Sequence, residues 1–200
     1  HYADGRYDRL RQVCLPHSLG LLYEDVTRYL GFLHSSDEYK VMALASYGKP
    51  AYLNEFRQIL QYDGDGGYTL HPCRWEETFG PARVRGTEFL PRHSDIAHSL
   101  QKVLEETVLE MANWLYRQTR SRNLCMAGGV ALNCVLNSHL AKHGPFESIW
   151  VQPAAGDAGT SLGAALWLDR LQREDGSSRW AMDNAYLGPR YDDDEIGAFL

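Results

Sequence analysis

Two short turns of small residues carry the chemistry this sequence can be read for. One lies in residues 123–137 (NLCMAGGVALNCVLN), the other in residues 151–166 (VQPAAGDAGTSLGAAL). Each follows a short apolar run and precedes residues at helical spacing. Strand, small-residue turn and helix together form a phosphate-binding arrangement. Glycine has no Cβ, so backbone can approach a ligand closely. The first turn of the following helix offers unpaired N–H groups at the positive end of its dipole. Gly128, Gly129 and Gly156 are therefore candidate nucleotide contacts; the alternative is a tight strand-to-helix turn with no ligand. Asp157 lies inside the second turn. A carboxylate beside bound phosphate repels it unless a metal ion or a proton lies between them. As a helix cap, Asp157 would serve a structural end instead. Asn133, just after the first turn, reads as a first-turn cap or a buried amide.

The elements that must position these turns follow from periodicity. Strands are expected at 123–127 and 148–152, helices at 131–142 and 159–171. That β-α-β-α order predicts an α/β unit with parallel strands. The strongest helix runs over residues 94–120, with Ser94 as N-cap. Ile96, Leu100, Val103, Leu104, Val108, Met111 and Leu115 form its apolar stripe. Upstream, Pro16 and Ser18 open a helix carrying Leu22, Val26, Tyr29, Leu30 and Leu33. A second helical run ends at Gly48 and Pro50, and a third covers 52–62. Residues 62–71 read as a hairpin, and 73–91 as loop with a short helix. Residues 174–179 read as a surface turn and 180–188 as extended chain. A last helix begins after Asp192, Asp193 and Asp194. The resulting division is 1–93, a helical and hairpin segment; 94–185, the α/β half; and 186–200, the start of a linker.

Composition narrows the function classes. Hydrophobic residues make up 44% of the 200, enough for a real core. The net charge is −6, from 20 basic and 26 acidic residues, with no basic stripe, which argues against a nucleic-acid surface. No apolar run reaches membrane-spanning length, and no signal-peptide pattern opens the chain. Cys14, Cys73, Cys125 and Cys134 form no CxxC pair, so neither a zinc site nor a disulfide framework is indicated. Cys125 and Cys134 sit in apolar contexts and read as buried thiols in a reducing cytoplasm. Glu38 and Lys40 read first as a surface ion pair. His17 and Ser18 shape a helix start. His139 and His143 share a helix face. They read as exposed residues near a helix C-terminus, where positive charge is favoured, with a metal pair as the alternative. The chain begins without methionine and ends on an opening helix, so it reads as a piece of a longer polypeptide.

Six ordered blocks give this reading a family. Residues 16–32 (PHSLGLLYEDVTRYLGF), 38–50 (EYKVMALASYGKP), 95–106 (DIAHSLQKVLEE), 127–137 (AGGVALNCVLN), 153–165 (PAAGDAGTSLGAA) and 186–191 (YLGPRY) resemble the O-carbamoyltransferase family. That family includes nodulation-factor and antibiotic-tailoring carbamoyltransferases. The resemblance implies part of an actin-like, sugar-kinase-like ATPase fold. It implies that a separate C-terminal domain makes carbamoyl adenylate from carbamoyl phosphate and ATP. The present domain then passes the carbamoyl group to a hydroxyl of a small-molecule or sugar acceptor. It also implies a divalent metal, commonly iron, held by two histidines of an upstream HxxxH motif and by the aspartate that falls on Asp157. Gly128, Gly129 and Asn133 would line the adenosine moiety, with Gly156 in the second turn, and Glu38 and Lys40 would lie near acceptor or phosphate.

His139 and His143 do not correspond to the family's HxxxH. That motif is expected before His1 and the adenylating domain beyond Leu200. The chain is thus expected to be the second half of the transfer domain, inactive alone, with the missing parts of the same polypeptide as its partners. In the implied chemistry, a metal polarises the carbamoyl carbonyl and backbone N–H groups hold the adenylate phosphate as leaving group. No general base is identifiable. A kinase-type phosphotransferase of the same fold and a non-catalytic packing fragment are the alternatives.

Overall fold

The computed structural model describes residues 1–172, 181–182, 184–186 and 188–200. Strands β1 (Tyr2–Ala3) and β2 (Arg6–Tyr7) pair antiparallel. Asp4 and Gly5 between them both have left-handed φ, +50° and +77°, as a two-residue hairpin turn requires. Helix α1 (Leu19–Tyr29) starts where expected: Ser18 Oγ accepts from the Leu21 N–H at 3.3 Å. It buries Leu22 and Val26, with Leu30 following, whereas Leu33 lies past its end and is half exposed.

Helix α2 (Glu38–Ala45) stops before Gly48. A Cβ at Gly48 would lie 1.9 Å from the Ser94 carbonyl oxygen. Glycine there permits two backbones to touch, and the Lys49 N–H donates to Asp95 at 2.8 Å alongside. Helix α3 (Leu53–Ile59) ends earlier than its pattern predicts. Leu60 turns extended, and β3 (Leu60–Tyr62) pairs antiparallel with β4 (Tyr68–Leu70). The hairpin ladder wins residues 60–62 because it buries Leu60, which is 3% exposed. A short α4 (Trp75–Phe79) follows, and its Phe79 stacks on Phe56 with ring centroids 5.1 Å apart.

Helix α5 (Pro91–Thr119) is the spine, 29 residues long. It opens at Pro91, not after Ser94. Proline suits the first helical position, the Leu90 N–H donates to His93 Nδ1 at 3.0 Å, and Ser94 Oγ donates to the Pro91 carbonyl from inside the first turn. Ile96, Leu100, Val103 and Leu104 are buried; Val108, Met111 and Leu115 are partly buried against the same core. The helix also buries His93, Ser99, Gln101, Glu105 and Thr107, which the apolar stripe does not announce.

Strand β5 (Asn123–Met126) follows. One turn of 3-10 helix (Gly129–Leu132) then leads into α6 (Cys134–His143), so the expected helix 131–142 is broken at Asn133. Strand β6 (Ser148–Val151) pairs parallel with β5, Asn123 opposite Ser148 and Met126 opposite Val151. The α/β reading and the parallel pairing hold, though each of the three sheets among the described residues has only two strands. Cys125 and Cys134 are exposed, contrary to expectation. Along β5 only the alternate residues Leu124 and Met126 turn toward the core, and Cys134 lies at the outer start of α6.

The chain divides into two compact units, His1–Asp157 and Ala158–Leu200. The break falls within the stretch 94–185. The first unit has one core, centred on Val26, Leu30, Val41, Phe56, Ile96, Leu100, Leu136 and Leu140. The second holds α7 (Thr160–Gln172) and α8 (Asp193–Phe199). Asp192 accepts from the Glu195 N–H at 2.8 Å while the Glu195 carboxylate accepts from the Asp192 N–H at 2.9 Å, a reciprocal cap. The expected turn at 174–179 lies outside the described residues. The segment 180–188 is described only in part, and its described residues are in neither helix nor strand. Among the described residues no helix is long and apolar enough to cross a membrane.

Burial holds the His93 imidazolium below its ordinary range, with Arg92 and Arg83 adding repulsion. Its Nδ1 accepts a backbone N–H, and its buried Nε2 has no partner. The folded state therefore resists a proton that the unfolded chain takes up near pH 6.5. Stability should fall as pH drops below that value, with His139, also held down by burial, contributing. Urea midpoints measured from pH 7 to pH 5 should decline less steeply in His93→Asn than in the parent. Equal slopes would remove His93 from the effect.

Candidate functional site

Five of the residues singled out in the sequence line one cavity of about 640 Å³: Glu38, Gly129, Asn133, Gly156 and Asp157. The start of α1 forms one wall and α2 another. The two small-residue turns form the third. These turns are bonded to each other: the Gly128 N–H donates to the Ala155 carbonyl at 2.7 Å. Gly128 has φ +101° and ψ 166°, a conformation open essentially to glycine alone. It turns the chain and is not itself a lining residue. Gly129 lines the cavity, and a Cβ built on it meets no atom within 4 Å. At Gly156 a Cβ would touch Leu132 at an ordinary 3.5 Å.

Asn133 holds the first turn in place. It is the N-cap of α6, its Oδ1 accepting from the Leu136 N–H at 2.9 Å. Its Nδ2 donates to Gln101 Oε1 on α5 at 2.8 Å. The cap reading is therefore realised, in a half-buried residue that also faces the cavity.

Glu38 and Lys40 do not pair with each other. Lys40 Nζ lies 2.8 Å from Asp37 Oδ1, which raises the lysine and lowers the aspartate from their ordinary pKa values. Lys40 is not among the lining residues. Glu38 is, and its Oε1 accepts from the Ser35 N–H at 2.7 Å.

The lining includes residues that motif reading did not find. Glu24 accepts from the Ser35 hydroxyl at 2.8 Å and meets His34 Nδ1 at 2.9 Å, and these bonds hold its carboxyl below the usual range. Tyr23 donates to Gln101 Oε1 at 3.2 Å. Burial, then the charges of Glu105 and Glu38, push its phenol far up, so Tyr23 is a neutral hydroxyl and not a phenolate base. Its position on the buried face of α1 hid it among core residues.

Glu24, Glu38 and Asp157 line the cavity, and no lysine or arginine among the described residues does. An anionic ligand there must place its charge on neutral donors, the N–H groups of the turns and the lining hydroxyl and amide groups, or have it balanced by a cation. Among the described residues no three His, Cys, Asp or Glu side chains are arranged to hold a metal ion. At the cavity Asp157 offers one carboxylate, beside those of Glu24 and Glu38. His139 and His143 lie with rings 4.6 Å apart on α6. His139 is not the exposed residue expected: its side chain is 18% exposed, with Nδ1 3.6 Å from Glu105 Oε2. The face of α6 that buries Leu136 and Leu140 against α5 carries His139 in with it.

Comparison with known proteins places this architecture among relatives. The family model described as carbamoyltransferase N-terminus matches residues 2–166. Nodulation protein NolO of Bradyrhizobium diazoefficiens is 42% identical over 181 residues, 86% of this chain and 32% of its own length. Nodulation protein NolNO of Sinorhizobium fredii is 40% identical over 180 residues, 86% of this chain and 26% of its own length. Protein sll1178 of Synechocystis sp. is 42% identical over 207 residues, 94% of this chain and 34% of its own length. The chain thus spans about a third of the length of the curated relatives it matches.

The two structural jobs of Asn133 can be separated. Asn133→Ser and Asn133→Ala both lose the Gln101 bond, but serine still caps α6. In urea unfolding the alanine variant should be less stable than the serine variant by about 1 kcal/mol. Equal stabilities would show that the cap contributes nothing.

Proposed function

The chain belongs to the carbamoyltransferase N-terminus family, and from that membership we propose that it is the nucleotide-binding half of a carbamoyl-transfer domain of actin-like, sugar-kinase-like ATPase fold. In the polypeptide that carries it, a carbamoyl group passes from carbamoyl adenylate, made elsewhere from carbamoyl phosphate and ATP, to a hydroxyl of a small-molecule or sugar acceptor. One observation carries the reading: the GG and GD turns, tied by the Gly128–Ala155 bond, open on the same cavity as Asn133.

The acceptor oxygen attacks the carbamoyl carbon, its hydroxyl proton passes to solvent, and the bond from that carbon to the adenylate oxygen breaks, releasing AMP. Backbone N–H groups of the two turns are the donors suited to the leaving phosphate. Gly129 leaves room for the ligand because it presents no side chain. The carboxylates of Glu24 and Glu38 disfavour phosphate on the α1–α2 side, which directs its charge toward the turns. Glu38 would stand near the acceptor, with Lys40 behind it on Asp37. Asp157 would be one ligand of a divalent metal, commonly iron in this family, which when bound polarises a carbonyl. The four unpaired cysteines suit a cytoplasmic setting.

Gly129→Val tests the reading on this chain. A Cβ at this position meets no protein atom within 4 Å, so stability should stay within about 0.5 kcal/mol of the parent. ATP affinity by calorimetry should fall at least about tenfold, since the branched side chain takes the ligand's place. Unchanged ATP affinity would make the turn purely structural.

A second test concerns the full polypeptide. Asp157→Ala should lower its metal content and abolish acceptor carbamoylation, while carbamoyl-adenylate formation continues. This chain alone should bind metal weakly and transfer nothing. Unchanged transfer by Asp157→Ala would remove Asp157 from the chemistry. Transfer of labelled γ-phosphate to the acceptor would favour a kinase instead.

A further inference from the structure

Two buried polar residues of α5, Gln101 and Glu105, have no part in the scheme above. Gln101 and Glu105 sit one turn apart on α5, 5% and 8% exposed. Buried polar groups are kept only with partners, and these two are well partnered. Gln101 Nε2 donates to Glu105 Oε1 at 2.9 Å and to Asn133 Oδ1 at 3.3 Å. Gln101 Oε1 accepts from the Tyr23 hydroxyl and from Asn133 Nδ2. On its far side Glu105 faces His139.

The orientation of an amide follows from the bonds it makes, and here two independent constraints agree. The Glu105 carboxylate accepts, so it fixes the NH2 end of Gln101. The Leu136 N–H in the first turn of α6 belongs to a buried residue and needs an acceptor, so it fixes the oxygen end of Asn133. With both fixed, the two amides pair head to tail. The inventory of Asn133 is then decided. Its Oδ1 takes two bonds and is filled. Its Nδ2 spends one N–H on Gln101 and has one left.

We propose that Gln101 is a positioning residue which, held by Glu105, makes Asn133 a donor only, so that the cavity selects a ligand atom with a lone pair, such as a purine ring nitrogen or a ribose oxygen. The ligand class rests on the nucleotide reading above. The positioning of Asn133 by Gln101 does not.

The test is a double-mutant cycle with ATP as probe. Gln101→Met keeps the volume and removes every bond. It should weaken ATP binding about tenfold in the parent, the worth of one well-placed hydrogen bond. In the Asn133→Ser background, where the cap survives, it should weaken binding less than twofold. Equal weakening in both backgrounds would overturn the proposal, because Gln101 would then act by another route.

Glu105→Gln is the gentler variant. It keeps size and packing but lets the Gln101 amide turn either way. The Asn133 side-chain NH2 signals in a nitrogen–proton spectrum should shift or double in this variant. Unchanged signals would overturn the proposal without any ligand present. If the parent chain does not bind ATP, the nucleotide reading fails, and the NH2 signals still decide the positioning role.

Discussion

The burial of the α5 stripe is the interaction on which the rest of the first unit depends. Helices α1, α2, α3 and α6 and strand β3 all pack on this one helix. Each fully buried leucine, isoleucine or valine contributes about 1.5–3 kcal/mol, whereas a single net hydrogen bond contributes about 1 kcal/mol. The apolar contacts of Ile96, Leu100 and Leu104 therefore decide where the walls of the cavity stand. The polar residues of the same helix decide how the side chains in those walls are turned. Glu105 and Gln101 lie beside Leu104 and Leu100, so geometry and orientation come from one element.

The electrostatics of the cavity follow from what lines it. The carboxylates of Glu24 and Glu38 and the neutral phenol of Tyr23 make the α1–α2 side unfavourable to anions. The two turns, with their backbone N–H groups, make the other side favourable. On the nucleotide reading proposed above, that asymmetry would order a ligand with a phosphate at one end and a neutral ring at the other. It also explains why Glu24 and Glu38 are both engaged with the Ser35 loop. Their bonds hold the acidic wall as a fixed surface, and the hydrogen bonds to Glu24 keep that group ionised.

Much of this was legible in the sequence. Ser18 capped its helix, the α5 stripe was read residue by residue, and the two turns specified a parallel strand pair. The five cavity residues came from those turns and from the family blocks. What escaped reading had physical reasons. Asp4–Gly5 carried a hairpin signal, but strands of two residues show no alternation. Pro91 outcompeted Ser94 because proline loses nothing at the first helical position. Cys125 and Cys134 sit in apolar sequence, yet a strand shows only alternate residues to the core. Lys40 follows two acidic residues, Asp37 and Glu38, and the i, i+3 geometry of a helix favours Asp37 over the i, i+2 residue. Gln101 and Glu105 look like surface residues beside an apolar stripe. Their partners, Asn133 and Tyr23, lie 32 and 78 positions away in the chain, beyond any local pattern.

The central claim is that the two turns, Asn133 and the start of α1 enclose a nucleotide site. The most direct measurement is residue-resolved mapping of backbone amide shifts of this chain during titration with ATP. The account predicts saturable shifts concentrated at Gly129, Asn133, Gly156 and Asp157 and at Tyr23 and Glu24. Saturable shifts centred elsewhere, or none at millimolar ATP, would contradict it.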